Sequence, residues 1–298
     1  MRVLVTGGLG FIGSRLCETL LDGGFSVRCV DSLSGSCAPD RGAAAGPALR
    51  ARGAEVLIEG ARPAHVRGVD AVVHLAGLPG VRTRVSRGAL RAANVELASR
   101  LARAAAASGA RFVLASSSSV YGNARQVPTP EHTPPAPLNR YAESKVAAEA
   151  GVRDRGAEAV IARLFTVYGP GQRPDMAFAR WIRALAAGEP IPFHAAPATA
   201  RDFTYVDDAV AGLIAALRRG RAGEAYNVSG WRSVELHEAL GLLSPASVRE
   251  LPTSPAEAVV TSGSAVKAAR ELGYAPSVNL ATGLARQLAA ASSSKLAA

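Results

Sequence analysis

Cysteine, histidine and lysine are scarce in this chain of 298 residues, and each scarcity removes a class of function. The three cysteines, Cys17, Cys29 and Cys37, are odd in number, sit in the N-terminal quarter and lack metal-ligand spacing, which excludes a disulfide framework. The five histidines are scattered singly, so no metal site is expected. Lys145, Lys267 and Lys295 are the only lysines, and the net charge of +10 is therefore carried almost wholly by arginine. Those arginines are spread along the chain with no basic run and no aromatic-interleaved basic stripe. A nucleic-acid partner is not expected, whereas a positive cleft for an anionic substrate is compatible with the balance. Long apolar runs are absent too. Asp70 to Ala76 and Leu101 to Ala107 are interrupted by charge or too short to cross a bilayer, and no basic-then-apolar leader precedes Val3. A soluble cytoplasmic protein with no membrane partner is the expectation.

Apolar residues are abundant at 48%, enough to bury a full core. Arg2 to Thr6, Ser26 to Val30, Glu55 to Ile58, Ala71 to Leu75, Arg111 to Ala115 and Ala159 to Arg163 read as buried strands. Between them Phe11 to Leu21, Leu90 to Ala107 and Arg140 to Arg153 carry helical periodicity. This α/β alternation predicts a Rossmann-type doubly wound parallel sheet. After Phe165 the pattern turns to Pro/Gly-punctuated loops, with helices expected near Met176 to Ala187, Asp207 to Arg218, Ser233 to Leu242 and Lys267 to Leu272. The organisation expected is a dinucleotide-binding domain over 1–165 and a smaller C-terminal substrate lobe over 166–291, with segments free to interleave. Residues 292–298, a serine run ending in Lys295-Leu296-Ala297-Ala298, resemble an expression-vector scar. The alanine-rich helices from Asn94 to Ala107 and after Tyr141 suit close packing inside a monomer or across a homodimer.

Thr6-Gly7-Gly8-Leu9-Gly10-Phe11-Ile12-Gly13 follows the first strand and opens the first helix. Gly7 permits the tight turn, Gly10 lets backbone approach a pyrophosphate, and Gly13 lets the helix sit close on the sheet. Asp31, at the end of the second strand, is placed to accept from an adenosine ribose and to repel a 2′-phosphate, which selects NAD over NADP. Tyr141-Ala142-Glu143-Ser144-Lys145 puts a phenol and an ammonium one helical turn apart on one face, an arrangement suited to a base. The serines of Ala115-Ser116-Ser117-Ser118-Ser119 emerge at a strand's carboxyl end, where a hydroxyl can share a proton with a ligand.

In this order, the glycine motif, strand-end serines and Tyr–Lys pair resemble the extended short-chain dehydrogenases/reductases, the NAD-dependent sugar epimerase/dehydratase group. Further matching segments are His74-Leu75-Ala76-Gly77, Pro79-Gly80-Val81-Arg82, Arg163-Leu164-Phe165-Thr166-Val167-Tyr168-Gly169-Pro170 and Arg201-Asp202-Phe203-Thr204-Tyr205-Val206-Asp207-Asp208. The resemblance implies Ser117, Tyr141 and Lys145 as catalytic residues. It implies Gly7, Gly10, Phe11, Ile12, Gly13, Asp31, Ser32, Leu75, Ala76, Tyr141 and Lys145 as NAD contacts. Arg82, Ser117, Ser118, Thr166, Arg173, Met176 and Arg201 would touch a nucleotide-sugar substrate, Arg201 at its diphosphate.

Within that group, sugar 4,6-dehydratases carry an acidic pair directly after the catalytic hydroxyl residue, where this chain has Ser118 and Ser119. The string from Ser116 to Gly122, with Thr166 and Arg173-Pro174-Asp175-Met176-Ala177, looks most like UDP-glucuronate 4-epimerases. There the residues matching Thr166 and Arg173 lie by the sugar carboxylate, for which a guanidinium fork is well shaped. The expected activity is 4-epimerisation of UDP-glucuronate to UDP-galacturonate through a transient 4-keto sugar. Alternatives are a 4-ketoreductase of deoxysugar formation and a non-catalytic NAD-binding scaffold.

Overall fold

The Val/Leu-rich run at the start forms β1 (Arg2–Thr6), and the helix after the glycine motif is α1 (Phe11–Asp22). The alternation continues through β2 (Ser26–Asp31), α2 (Pro39–Ala51), β3 (Glu55–Ile58), β4 (Ala71–His74), α3 (Arg87–Leu90), α4 (Leu97–Ala107), β5 (Arg111–Ser117), α5 (Arg140–Arg153) and β6 (Ala159–Leu164). Shorter elements follow: β7 (Thr166–Tyr168), α6 (Ala177–Ala187), β8 (Ile191–Phe193), β9 (Ala200–Tyr205), α7 (Val206–Arg219), β10 (Ala225–Val228), β11 (Ser233–Glu235), α8 (Leu236–Gly241), β12 (Val248–Glu250), α9 (Val266–Leu272) and α10 (Leu280–Leu296). The computed structural model describes residues 1–34, 39–79, 85–154, 159–194 and 198–296. None of its helices is long and apolar enough, among the described residues, to cross a membrane.

Seven parallel strands form the central sheet in the order β10-β6-β5-β4-β1-β2-β3. Side chains alternate across it, so Val3 and Val5 pack with Leu16, Leu20 and Leu213 on one face. Leu4 and Val30 pack with Leu101, Phe112 and Val152 on the other. Each such fully buried side chain contributes about 1.5–3 kcal/mol. Strand order reverses between β1 and β4, which opens a crevice at the carboxyl edge where such sheets bind ligands. Two further sheets are separate from it, the three-stranded β11-β9-β7 and the pair β12-β8.

Several elements depart from the sequence expectation. Ser233 to Leu242 is not one helix: Ser233–Glu235 pairs antiparallel with β9, and helix begins only at Leu236. The strand exists because a distant segment supplies its partner. The expected helix Leu90 to Ala107 is interrupted by a π-turn over Arg91–Glu96. β10 enters the large sheet beside β6, so chain from both sides of Phe165 builds it. α10 runs on through residues 292–296.

Asp202 of β9 ties these parts together. It is 1% exposed, and its two oxygens accept from Gly230 N at 2.6 Å and Gly263 N at 3.0 Å. Burial pushes its carboxyl from 3.8 up to about 6, with the two backbone N–H groups opposing the shift. A raised folded-state value favours the protonated form. The resulting stabilisation is full below about 3.8 and is lost as pH rises through about 6. Thermal melts of wild type and Asp202→Asn from about pH 4 to about pH 7 should show wild type losing up to about 3 kcal/mol relative to the variant. A pH-independent difference between the two would contradict this assignment.

Candidate active site

The glycine loop is shaped for close backbone approach. Gly7 turns at φ +71°, and a Cβ there would lie 2.7 Å from Ala76 N at the end of β4. A Cβ at Gly13 would lie 2.1 Å from Gly7 O. Asp31 buttresses the loop, its Oδ2 accepting from Leu9 N at 3.0 Å and its Oδ1 from Leu33 N at 2.9 Å. The N-terminus of α1 has no side-chain cap and no acidic residue in its first turn, so the positive end of the helix is left to attract an anion. Gly7, Gly10, Phe11, Ile12, Gly13, Asp31, Ser32, Leu75 and Ala76 all line one cleft of about 1060 Å³. An uncapped helix end, a cradle that admits no side chain and an acid at the neighbouring strand end fit a dinucleotide.

Helix α5 delivers the phenol. Asn139 caps it by accepting from Ala142 N at 2.9 Å, which starts the helix one residue before Tyr141. Tyr141 lines the same cleft. Lys145 lies behind that wall, 9% exposed, with Nζ 5.9 Å from the Tyr141 ring centroid and donating to Ala115 O at 2.9 Å. Ser117 ends β5 facing the cleft, its Oγ accepting from Ser119 N at 3.2 Å to start a short 3-10 turn. His74, at the end of β4, contacts Thr6 Oγ1 at 2.7 Å. Burial, with the Lys145 charge nearby, pushes His74 down to about 3, so the ring is neutral.

Ser118, Thr166, Arg173, Met176 and Arg201 complete the lining on the side of the smaller sheets. Both arginines already have partners. Arg173 grips Asp175 with Nε at 3.0 Å and Nη2 at 2.9 Å, and Arg201 Nη2 stands 3.6 Å from Glu257. Arg201 also donates to Ala200 O and Val259 O. Arg82 lies outside the described residues. Residues missed in the sequence include Arg180, Arg183 and Glu257, all on the cleft wall. Asn94 was missed as well. Buried in the π-turn, it accepts from Leu78 N at 2.7 Å and donates to Ser144 Oγ at 2.9 Å. A polar residue on the apolar side of an alanine-rich helix was the available signal, and π-turns of this kind recur at functional sites.

A doubly wound sheet with this glycine cradle, its strand-end acid, and a Tyr–Lys helix facing strand-end serines defines a nicotinamide-dinucleotide protein of the short-chain dehydrogenase/reductase type. The chain belongs to the NAD dependent epimerase/dehydratase family, whose family model matches residues 3–229. Among its relatives is the uncharacterized UDP-glucose epimerase YtcB of Bacillus subtilis, 32% identical over 98% of either chain. Another is a dTDP-glucose 4,6-dehydratase of Streptomyces griseus, 33% identical over 97% of this chain and 93% of that one. Among solved structures, the UDP-glucuronic acid 4-epimerase of Bacillus cereus in complex with UDP-glucuronic acid and NAD superposes with a TM-score of 0.92. It is 30% identical, over 98% of this chain and 99% of that one. NAD is the cofactor of the family.

Proposed function

We propose that the protein is an NAD-dependent 4-epimerase of a nucleotide sugar, interconverting UDP-glucuronate and UDP-galacturonate. The relatives named above include both epimerases and a dehydratase, so the site's own chemistry has to choose. The observation that carries the choice is the pair of hydroxyls, Ser118 and Ser119, directly after Ser117 on the cleft wall. Eliminating water requires an acid to protonate the departing hydroxyl. The carboxyls on the described cleft wall are Asp31, Asp175 and Glu257, and each is engaged elsewhere: with the glycine loop, with Arg173 and with Arg201.

The glycine cradle, Asp31 and the α1 terminus would hold NAD, which supplies reversible two-electron oxidation at the sugar C4. Tyr141 takes the proton from the C4 hydroxyl and later returns it, with Ser117 bridging the two oxygens. Lys145 places a positive charge behind the phenol and anchors α5 through Ala115 O. The 4-keto sugar turns over between the two proton transfers, and no net redox change results. Ser118, Thr166 and Arg173 would clamp the carboxylate. Asp175 occupies Nε and Nη2 of Arg173, which leaves the Nη1 donors to meet it. A 4-keto uronic acid is a β-keto acid, and holding its carboxylate also restrains loss of carbon dioxide.

The NAD-loaded protein should equilibrate the two uronates without added reductant; steady NADH release or a requirement for NADPH would point to a ketoreductase. Arg173→Ala should weaken UDP-glucuronate handling by about 1.5–3 kcal/mol, roughly ten- to a hundredfold, the range for a charge-assisted hydrogen bond. Asp175, half exposed on its side chain, loses little by the change. UDP-glucose, with a neutral hydroxymethyl group, should be affected much less. Equal losses for both sugars would refute the glucuronate reading while leaving 4-epimerisation intact.

A further inference from the structure

Behind the serine strand end lies a charged cluster that neither ligand binding nor proton transfer uses. Glu149 of α5 and Arg163 of β6 are 2% and 3% exposed. Arg163 donates from Nη2 to Glu149 Oε2 at 2.7 Å and from Nε to Oε1 at 3.0 Å. Oε1 also accepts from Ser116 Oγ at 2.6 Å. Arg163 Nη1 donates to Tyr121 Oη at 2.8 Å and Glu131 O at 2.9 Å, and Tyr121 Oη in turn donates to Asn227 Oδ1 at 2.7 Å. At its rim, Arg153 Nη1 stands 3.6 Å from Glu149 Oε2.

A buried ion pair is weak evidence for stability, because removing two charges from water costs about as much as their attraction returns, and apolar residues of similar volume often fold as well or better. Its placement suggests what else it does. Glu149 lies one helical turn beyond Lys145 and two beyond Tyr141, and Arg163 stands in register opposite Ser116 in the sheet. α5 is therefore tied to β5 at consecutive residues, Lys145 to Ala115 O and Glu149 to Ser116 Oγ, immediately before Ser117. Of the buried apolar side chains of this helix, Ala142, Ala148 and Val152, the two nearer the Tyr141 end are small. They let the helix approach closely and do little to stop it sliding or rolling.

We infer that Glu149 and Arg163 are positioning residues that set the register of α5 against β5, and with it the separation of the Tyr141 and Ser117 hydroxyls. The inference rests on the epimerase reading of the same site and extends it to residues that touch no substrate. The test compares NAD-loaded wild type with the apolar double variant Glu149→Met/Arg163→Met and with Ser116→Ala, which keeps the ion pair and removes only its tie to β5. The double variant should keep its NAD content and leave KM for the sugar nucleotide within about threefold, with Tm lowered because Ser116 Oγ and Glu131 O lose their partners. Its kcat should fall about ten- to a hundredfold, the loss expected from a misplacement near 1 Å. A merely structural role predicts wild-type kcat at an assay temperature where the variant is fully folded, so a kcat within about twofold of wild type there overturns the inference. If the double variant does not fold, Ser116→Ala decides in the same way: a kcat loss of about tenfold at unchanged Tm is expected, and wild-type kcat overturns it. If wild type turns over no nucleotide sugar, the epimerase reading fails separately. Crystal structures of the variants then decide positioning by whether the Tyr141 hydroxyl has moved relative to Ser117, an unmoved hydroxyl overturning it.

Discussion

Tyr141→Phe should lower turnover by at least about a hundredfold, the lower range for losing a general base, while the purified protein keeps its NAD and its affinity for the sugar nucleotide. The substitution removes one hydroxyl and leaves the ring on the cleft wall. The Asn139 cap and the Lys145 contact with Ala115 O hold α5 in place without that hydroxyl. The cofactor cradle is built from other residues, chiefly the glycine loop and Asp31, so NAD content has no reason to change. That separation gives the experiment its meaning. A variant that lost NAD and activity together would indicate a packing role for the tyrosine, and one with near-normal turnover would sink the proton-transfer assignment. Ser117→Ala should cost less than Tyr141→Phe, because a bridging hydroxyl can be replaced by water where a base cannot.

Much of the first half of the fold was legible because local signals there agree with the final packing. β1 and β3 end where the Val/Leu runs end, and the glycine motif could be read because turn, close approach and helix start fall within a few residues of one another. Elements that depend on distant partners were hidden. The short runs at Ala225–Val228 and Ser233–Glu235 become strands only because β6 and β9 offer open edges. The cleft residues divide in the same way. Tyr141 and Lys145 were readable from helical spacing, but the placement of Lys145 behind the wall depends on Ala115 O from another strand. Arg173 and Arg201 were read as anion contacts from the resemblance, and both line the cleft. The acids they pair with, Asp175 and Glu257, change how much positive charge they present, and the Arg201 partner lies far away in sequence. The pairing of Glu149 with Arg163 left no pattern in the sequence, since its members come from separate elements and only the fold brings the end of the β6 strand beside α5.

The cradle itself yields a second large effect. Gly13 sits in the first turn of α1, and by helix propensity alone Gly13→Ala would stabilise the protein by about 0.5–1 kcal/mol. The steric term has the opposite sign and is larger. An added Cβ would lie 2.1 Å from Gly7 O and 2.8 Å from Gly8 Cα, both backbone atoms, so no rotamer change can relieve it. Overpacking of this kind costs about 1–3 kcal/mol, and here the strain must be released by moving the loop that is to receive the dinucleotide. Gly13→Ala should therefore weaken NAD binding by about ten- to a hundredfold and lower the NAD content of the purified protein. Gly241→Ala in α8 is the matched control, because a Cβ there meets nothing within 4 Å among the described residues and no proline follows it. With no clash to offset the propensity gain, it should raise Tm and leave NAD content unchanged. If the two substitutions affected cofactor affinity alike, the close approach of α1 to the glycine loop could not be what shapes the site.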